Sequence, residues 1–342
     1  MMDRKGFLRL ISAGGLGSLF GSSIHSNGTK NPTIKPTALK KGDTIGLISP
    51  GFILPERKQY DKIVDQIQKL GYTVKEGPNA RNTNGYLAGT DKERVADLHA
   101  MFADDSVGAI LPFRGGWGCN RLLPLIDFDL IQNNPKIIVG FSDITTLLLA
   151  IYAKTGLITF HGPVGKSDWT DFTVQHFRDV LHGTNDYIAE IPEGKLCDDC
   201  NSLSVITPGQ VSGRLLGGNL TVLSAMMGSD YLPQWQDNIL FIEDVGEAVY
   251  RIDRMLTQLK LNGVLDQISG FVLGQCNSCD PSNSYSQSLH DVLNDHIKPL
   301  GIPAFSGALI GHIENMTTLP VGLQASIDAG KGTISIGESA VL

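Results

Sequence analysis

Ser142 is the residue of this 342-residue chain best placed to do chemistry. The run Lys136-Ile-Ile-Val-Gly140 reads as a buried strand that stops at a glycine, and a helix carrying Leu147, Leu148 and Ile151 follows Ser142. A serine on such a bend holds its hydroxyl above the sheet. The helix start behind it supplies free backbone N–H groups and a positive dipole end. That is the outline of a nucleophile beside an oxyanion hole. With Ile144 where a second glycine would stand, the segment does not fit G-x-S-x-G, so the usual α/β-hydrolase elbow is not implied. The bland use of glycine-serine-aspartate at a strand end is to cap a helix.

A serine nucleophile needs a base to take its proton and a third group to orient that base. Of the 8 histidines, His25 lies near the N-terminus and His99, His176 and His182 fall on amphipathic helical segments. His161 follows the strand-like Ile158 to Phe160, and His290 falls in a helix. His312 differs, sitting in the loop Gly311-His312-Ile313-Glu314-Asn315 that leaves an apolar segment, Ala304 to Ile310. Among carboxylates, Glu243 directly follows the apolar run Ile239-Leu240-Phe241-Ile242; spacing leaves Asp244 and Glu247 as competitors, and Arg251 or Arg254 as structural partners of Glu243.

These residues need a scaffold. Thr44 to Ser49, Tyr72 to Lys75, Val107 to Phe113 and Lys136 to Gly140 read as strands. Between them, Glu56 to Leu70 and Asp91 to Phe102 read as helices, the second opened by a Thr90/Glu93 capping box. This βαβα rhythm predicts a parallel sheet with helices on both faces, with a site at the carboxyl ends of its strands. Ser142 lies at one such end and Arg114-Gly115-Gly116 at another. A more mixed unit starts near Val205, with strands at Asn238 to Ile242, Ile268 to Leu273, Gln324 to Asp328 and Thr333 to Ile336, and a helix over Val249 to Leu261. The expected divisions are a leader and linker over 1–38, a nucleophile domain over 39–192, a linker over 193–204 and a second domain over 205–342.

Composition narrows the function classes. A net charge of -7 gives no basic footprint for nucleic acid, and no apolar run is long enough to span a membrane. Arg4-Lys5-Gly6-Phe7-Leu8-Arg9, a short apolar stretch and then small residues describe an export signal of twin-arginine type, with Lys5 in place of the second arginine. Export to the periplasm is therefore expected, against a cytoplasmic alternative. Four of the 5 cysteines form two C-x-x-C pairs, Cys197/Cys200 and Cys276/Cys279, too far apart for a zinc ribbon. Unpaired loop thiols are the expectation for them, with disulfides after export as the alternative and no metal site.

The chain resembles the LD-carboxypeptidase family of serine peptidases, which includes murein tetrapeptide carboxypeptidases and microcin-immunity peptidases. The matching segments are Asn84-Gly-Tyr-Leu-Ala-Gly-Thr-Asp91, Arg114-Gly-Gly-Trp-Gly118, Gly140-Phe-Ser-Asp-Ile-Thr145 and His161-Gly-Pro163. They continue in order with Gly213-Arg-Leu-Leu-Gly-Gly-Asn219, Phe241-Ile-Glu-Asp-Val-Gly-Glu247, Tyr250-Arg-Ile-Asp-Arg-Met-Leu256 and Gly311-His312. The resemblance implies a flavodoxin-like N-terminal domain with a parallel sheet and a smaller swivelling β/α C-terminal domain. It implies a triad of Ser142, Glu243 and His312, and an oxyanion hole from the backbone of Asp143 and of Gly115 or Gly116. Arg114 and Trp117 are candidate substrate contacts. The implied reaction releases the C-terminal D-alanine of a peptidoglycan tetrapeptide, with no cofactor, by a homodimer. The alternatives are cleavage of a peptidyl-nucleotide amide, a non-catalytic muropeptide-binding protein, and a metal-dependent hydrolase.

Overall fold

A computed structural model describes residues 32–191, 202–281 and 283–342. The expected leader, apart from its last residues, and the Cys197/Cys200 pair lie outside them. In chain order the elements are β1 (Thr44–Ile48), α1 (Arg57–Lys69), β2 (Thr73–Glu76), α2 (Asp91–Ala103), β3 (Val107–Pro112), α3 (Phe128–Asn133), β4 (Ile137–Gly140) and α4 (Thr145–Thr155). Then come β5 (Thr159–His161), α5 (Asp171–Leu181), β6 (Tyr187–Ala189), β7 (Ser204–Thr207), β8 (Gln210–Asn219), α6 (Leu220–Ala225), β9 (Ile239–Val245) and α7 (Val249–Leu261). The chain closes with β10 (Gly270–Asn277), α8 (Leu289–His296), β11 (Ala304–Ser306), β12 (Leu319–Val321), β13 (Gln324–Asp328) and β14 (Thr333–Ile336).

Two sheets result, as the alternation of apolar strands and helices requires. The first runs β12-β5-β4-β3-β1-β2, parallel from β5 to β2. Its inner strands are buried on both faces, which is why Val107–Pro112 reads as a nearly continuous apolar run. The second runs β6-β14-β13-β8-β9-β10-β11-β7, with a parallel centre from β8 to β11 and antiparallel edges. Pairing crosses between the two halves of the sequence. β12, from the C-terminal half, closes the first sheet against β5, and β6, from the N-terminal half, closes the second against β14.

The helix behind Ser142 is not amphipathic. Every side chain of α4 from Thr145 to Ile151 is buried, because the helix faces the first sheet on one side and β8 and α6 on another. Glycines of β8 allow the close fit on either side: a Cβ on Gly217 would lie 1.7 Å from the Phe241 carbonyl oxygen of β9, and one on Gly218 would lie 2.5 Å from Thr145 Oγ1 of the helix. Gly218 also has a φ of 140°, which an L side chain resists. Gly218→Ala is expected to lower stability by about 2–3 kcal/mol. Urea unfolding checks it, and an unchanged midpoint would mean that the helix and β8 part easily.

The cysteines depart from expectation. Cys276 and Cys279 are buried rather than on an exposed loop, and they form a disulfide. The strand that begins at Gly270 extends through Asn277, so Cys276 belongs to β10 and pairs with Asp244 of β9. Cys119 is a buried free thiol. No cluster of His, Cys, Asp or Glu among the described residues has metal-binding geometry.

Candidate active site

Ser142 follows β4 by one residue and opens a single 3₁₀ turn, Ser142–Ile144, that runs into α4. It is not a helix cap: the capping position falls on Phe141, and no side chain caps the turn. Ser142 instead has a φ of 62°, in the left-handed region that a serine rarely occupies without a tertiary reason. Gly115 lies against it. A Cβ on Gly115 would stand 3.1 Å from Ser142 Oγ and 3.2 Å from the Asp143 nitrogen, so a larger residue would crowd the hydroxyl and the first amide behind it. Gly115 is buried while Gly116 is exposed, which makes Gly115 the glycine in contact with the serine.

The carboxylate and the imidazole meet directly. His312 Nδ1 lies 2.8 Å from Glu243 Oε2, and the Glu243 side chain is fully buried. Phe141, the neighbour of Ser142, sets its ring edge-on to the His312 ring at 4.8 Å between centroids. Burial disfavours the charged imidazole, but the hydrogen bond and charge of Glu243, with a smaller pull from Asp244, outweigh it and raise the His312 pKa above its ordinary 6.5. Asn277 Nδ2 donates to the His312 carbonyl at 3.2 Å, fixing the loop from below.

The same geometry sorts the competing acids. Asp244 accepts from Asn219 Nδ2, from the nitrogen and hydroxyl of Thr221, and from the Val245 nitrogen, so it ties β9 to α6. Glu247 pairs with Arg251 at 3.4 Å on the surface, and Arg251 therefore does not serve Glu243.

The Gly115–Gly118 loop is held by a residue that the sequence does not single out, Arg94, and by the side chain of Asp143, of which only the backbone is a sequence candidate. Arg94, on α2, is buried, and its guanidinium donates to the carbonyls of Pro50 and Gly118 and to the Asp91 carboxylate. Asp143 Oδ2 accepts from the Cys119 nitrogen at 3.0 Å, and burial pushes its carboxyl above the ordinary carboxylate range. Asp143 thus binds the loop through its side chain as well as standing behind Ser142. A charged residue on a periodic helix reads as a solvated face, and the carbonyls that hold Arg94 lie 44 and 24 residues away in sequence, so no local signal betrays it. Arg94→Met is expected to cost about 2–4 kcal/mol of stability and to lower kcat, because it strands the buried carbonyls of Pro50 and Gly118, while Asp91 keeps Arg121. Calorimetry with kinetics tests this; wild-type kcat would separate the loop from the serine.

Arg114 and Trp117 flank the Gly115–Gly116 segment and take part in an aromatic row. Trp117 and Tyr86, 47% and 44% exposed, stack at 4.0 Å, and Phe52 continues the row 6.2 Å from Tyr86. The Arg114 guanidinium lies over Phe52 at 4.9 Å and donates to the Ile53 carbonyl at 3.3 Å. Trp117 is therefore an open face rather than packing beneath a loop. His161 ends β5. It is fully buried and paired with Gly140 of β4, and burial lowers its pKa to about 4. His99, His176 and His182 are held by the Asp127 nitrogen, Tyr187 and Tyr72.

Comparison with known proteins fits this architecture. Residues 45–162 match the family model of the LD-carboxypeptidase N-terminal domain, and residues 212–327 match that of the LD-carboxypeptidase C-terminal domain. The fold and the matches define an α/β protein of the serine-peptidase class. The chain belongs to the LD-carboxypeptidase family. It is 40% identical over 303 residues to a probable murein peptide carboxypeptidase of Bacillus subtilis, covering 88% of this chain and 94% of the relative. It is 34% identical over 327 residues to the microcin C7 self-immunity protein MccF of Escherichia coli, covering 88% and 94%. The structure of MccF in complex with glutamyl sulfamoyl guanosine matches with a TM-score of 0.83 at 32% identity, over 90% of this chain and 99% of that one.

Proposed function

We propose that this protein is a serine carboxypeptidase that hydrolyses an L,D-peptide bond and releases the C-terminal D-alanine of peptidoglycan-derived tetrapeptides. The observation that carries the reading is the 2.8 Å contact of His312 Nδ1 with buried Glu243 Oε2, next to a serine held at a φ of 62°. Glu243 fixes the tautomer that leaves His312 Nε2 free to accept the Ser142 proton. The Ser142 oxygen then attacks the scissile carbonyl carbon, and the backbone N–H of Asp143 with one from the Gly115–Gly116 segment holds the oxyanion. The protonated His312 passes its proton to the leaving D-alanine nitrogen as the C–N bond breaks. Water, deprotonated by His312, attacks the acyl-serine, and the proton returns to Ser142. No cofactor enters these steps.

Arg114 offers a cation to the substrate's terminal carboxylate, and the Trp117–Tyr86 face supports the peptide stem. The decisive experiment incubates the purified protein with disaccharide tetrapeptide and follows mass: loss of one alanine is expected, and an unchanged tetrapeptide sinks the reading. The exposed Tyr86–Trp117 stack also favours a second reading, cleavage of a peptidyl-nucleotide amide with the planar base on that face. A panel setting tetrapeptide against such conjugates compares kcat/KM for the two.

Export through the basic N-terminal leader belongs to the same proposal, since it would bring the enzyme to the cell wall. Sequencing the mature N-terminus from a periplasmic fraction tests it; an intact Met1 in the cytoplasm overturns it. Sedimentation of the purified chain tests the homodimer.

A further inference from the structure

Two polar groups under the proposed catalytic pair are buried with nothing to bond. Glu243 gives Oε2 to His312, while its Oε1 has no hydrogen-bond partner among the described residues. His161, with no solvent exposure, likewise has both ring nitrogens unpartnered among them. The two residues are neighbours. Phe241 and Glu243, two apart on β9, point to the same face of the sheet, and the His161 ring stands edge-on to Phe241 at 5.3 Å between centroids. His161 also meets Phe141, at 6.3 Å, and the charges of Glu243 and His312 both act on it.

An apolar side chain would fill this place at no cost in lost hydrogen bonds. The other partners there are apolar: β4 presents Gly140, the residue after it is Phe141, and β12 presents Leu319. A buried imidazole in such surroundings is costly unless its N–H is used, and a buried carboxylate oxygen is costlier still. One water between a donor and an acceptor satisfies both groups.

We infer that His161 is a positioning residue for the catalytic carboxylate, its neutral ring donating through a single bridging water to Glu243 Oε1. The inference rests on the triad proposed above. A donor on Oε1 fixes the carboxylate's rotamer, so that Oε2 stays on His312 Nδ1. The titratable groups facing His161 are Glu243 from β9 and His312 from the loop after β11. Asp244, which acts on His312, is held by Asn219 and Thr221.

The test is the pH profile of kcat/KM for tetrapeptide hydrolysis by the full chain. His161→Phe removes the donor, so the Glu243 charge, no longer shared with it, holds the His312 proton more tightly and the acid limb should move to higher pH by about one unit, with KM unchanged. His161→Gln keeps a donor and should hold the limb at the wild-type position. An unmoved limb in folded His161→Phe, or an equal shift in both variants, overturns the inference. Should His161→Phe fail to fold, nitrogen-15 NMR of labelled histidines in the wild type decides. A neutral His161 with a slowly exchanging ring N–H is expected, and a ring titrating between about pH 5 and 8 overturns it. Glu243→Gln is the control. If it keeps full activity the triad itself fails, whereas an inactive Glu243→Gln beside an unmoved His161→Phe limb defeats the role of His161 only.

Discussion

Ser142→Ala is expected to abolish release of D-alanine, lowering kcat by about 10⁵–10⁶-fold, the scale of loss when a triad nucleophile is removed. Binding of tetrapeptide should survive, because Arg114, Tyr86 and Trp117 are untouched. Fold should survive too, since alanine and serine carry the same Cβ through the same left-handed backbone. A second substitution separates chemistry from strain. Ser142 stands at a φ of 62°, where an L residue costs about 1–2 kcal/mol relative to glycine. Ser142→Gly should be as inactive as Ser142→Ala and yet unfold at a higher denaturant concentration. Undiminished turnover in either variant would remove Ser142 from the mechanism.

Glu243→Gln carries the second largest expected effect, a fall in kcat of about 10³–10⁴-fold. Glutamine occupies the same volume but lets the amide face His312 with the wrong polarity, so the tautomer with a free Nε2 is no longer enforced. The pH dependence supplies a sharper check. The Glu243 pairing raises the His312 pKa, and the general base must be neutral. Wild-type kcat/KM should therefore fall as pH drops through a value above 6.5. In Glu243→Gln the residual activity should fall at lower pH, because burial remains while the raising charge has gone. Stability has the opposite sense. A histidine whose folded pKa is raised stabilises the fold fully below its unfolded value and loses that contribution as pH rises through the folded one. Tetrapeptide kinetics and urea midpoints across pH 5 to 9 (about two units either side of the ordinary histidine value) measure both. Identical acid limbs in the two proteins would refute the pairing as the cause.

Local pattern made much of this legible, and its failures share a cause. The strand-glycine-serine-helix sequence located the Ser142 turn, and the Thr90/Glu93 box opened α2 where expected, because both signals are written within a few residues. The end of the apolar run at Ile242 exposed Glu243 as a candidate. Choosing it over Asp244 and Glu247 needed the alternation of β9 and the partners on α6 and α7, which are tertiary facts. The antiparallel edge strands β6 and β12 are three residues each, too short for any period to emerge. Charge and thiol misled in the same direction. Arg94 and Cys276 stand among polar neighbours in sequence, and only packing shows that their surroundings are carbonyls and a sheet. His161 belongs to this group, since nothing in its strand distinguishes an imidazole with work to do from one that merely fills space.

The exchange of edge strands sets a rule for dividing the gene. A polypeptide ending at Ile191 would carry β6 without β14 and leave β5 as an uncapped rim, while the remainder would carry β12 with no sheet to join. Each piece would expose unpaired backbone of the kind that seeds aggregation. Produced together, the same pieces offer one another the missing rims, so the molecule is built for reassembly from two fragments and against independent life for either. The two crossings also tether the half that carries Ser142 to the half that carries Glu243 and His312.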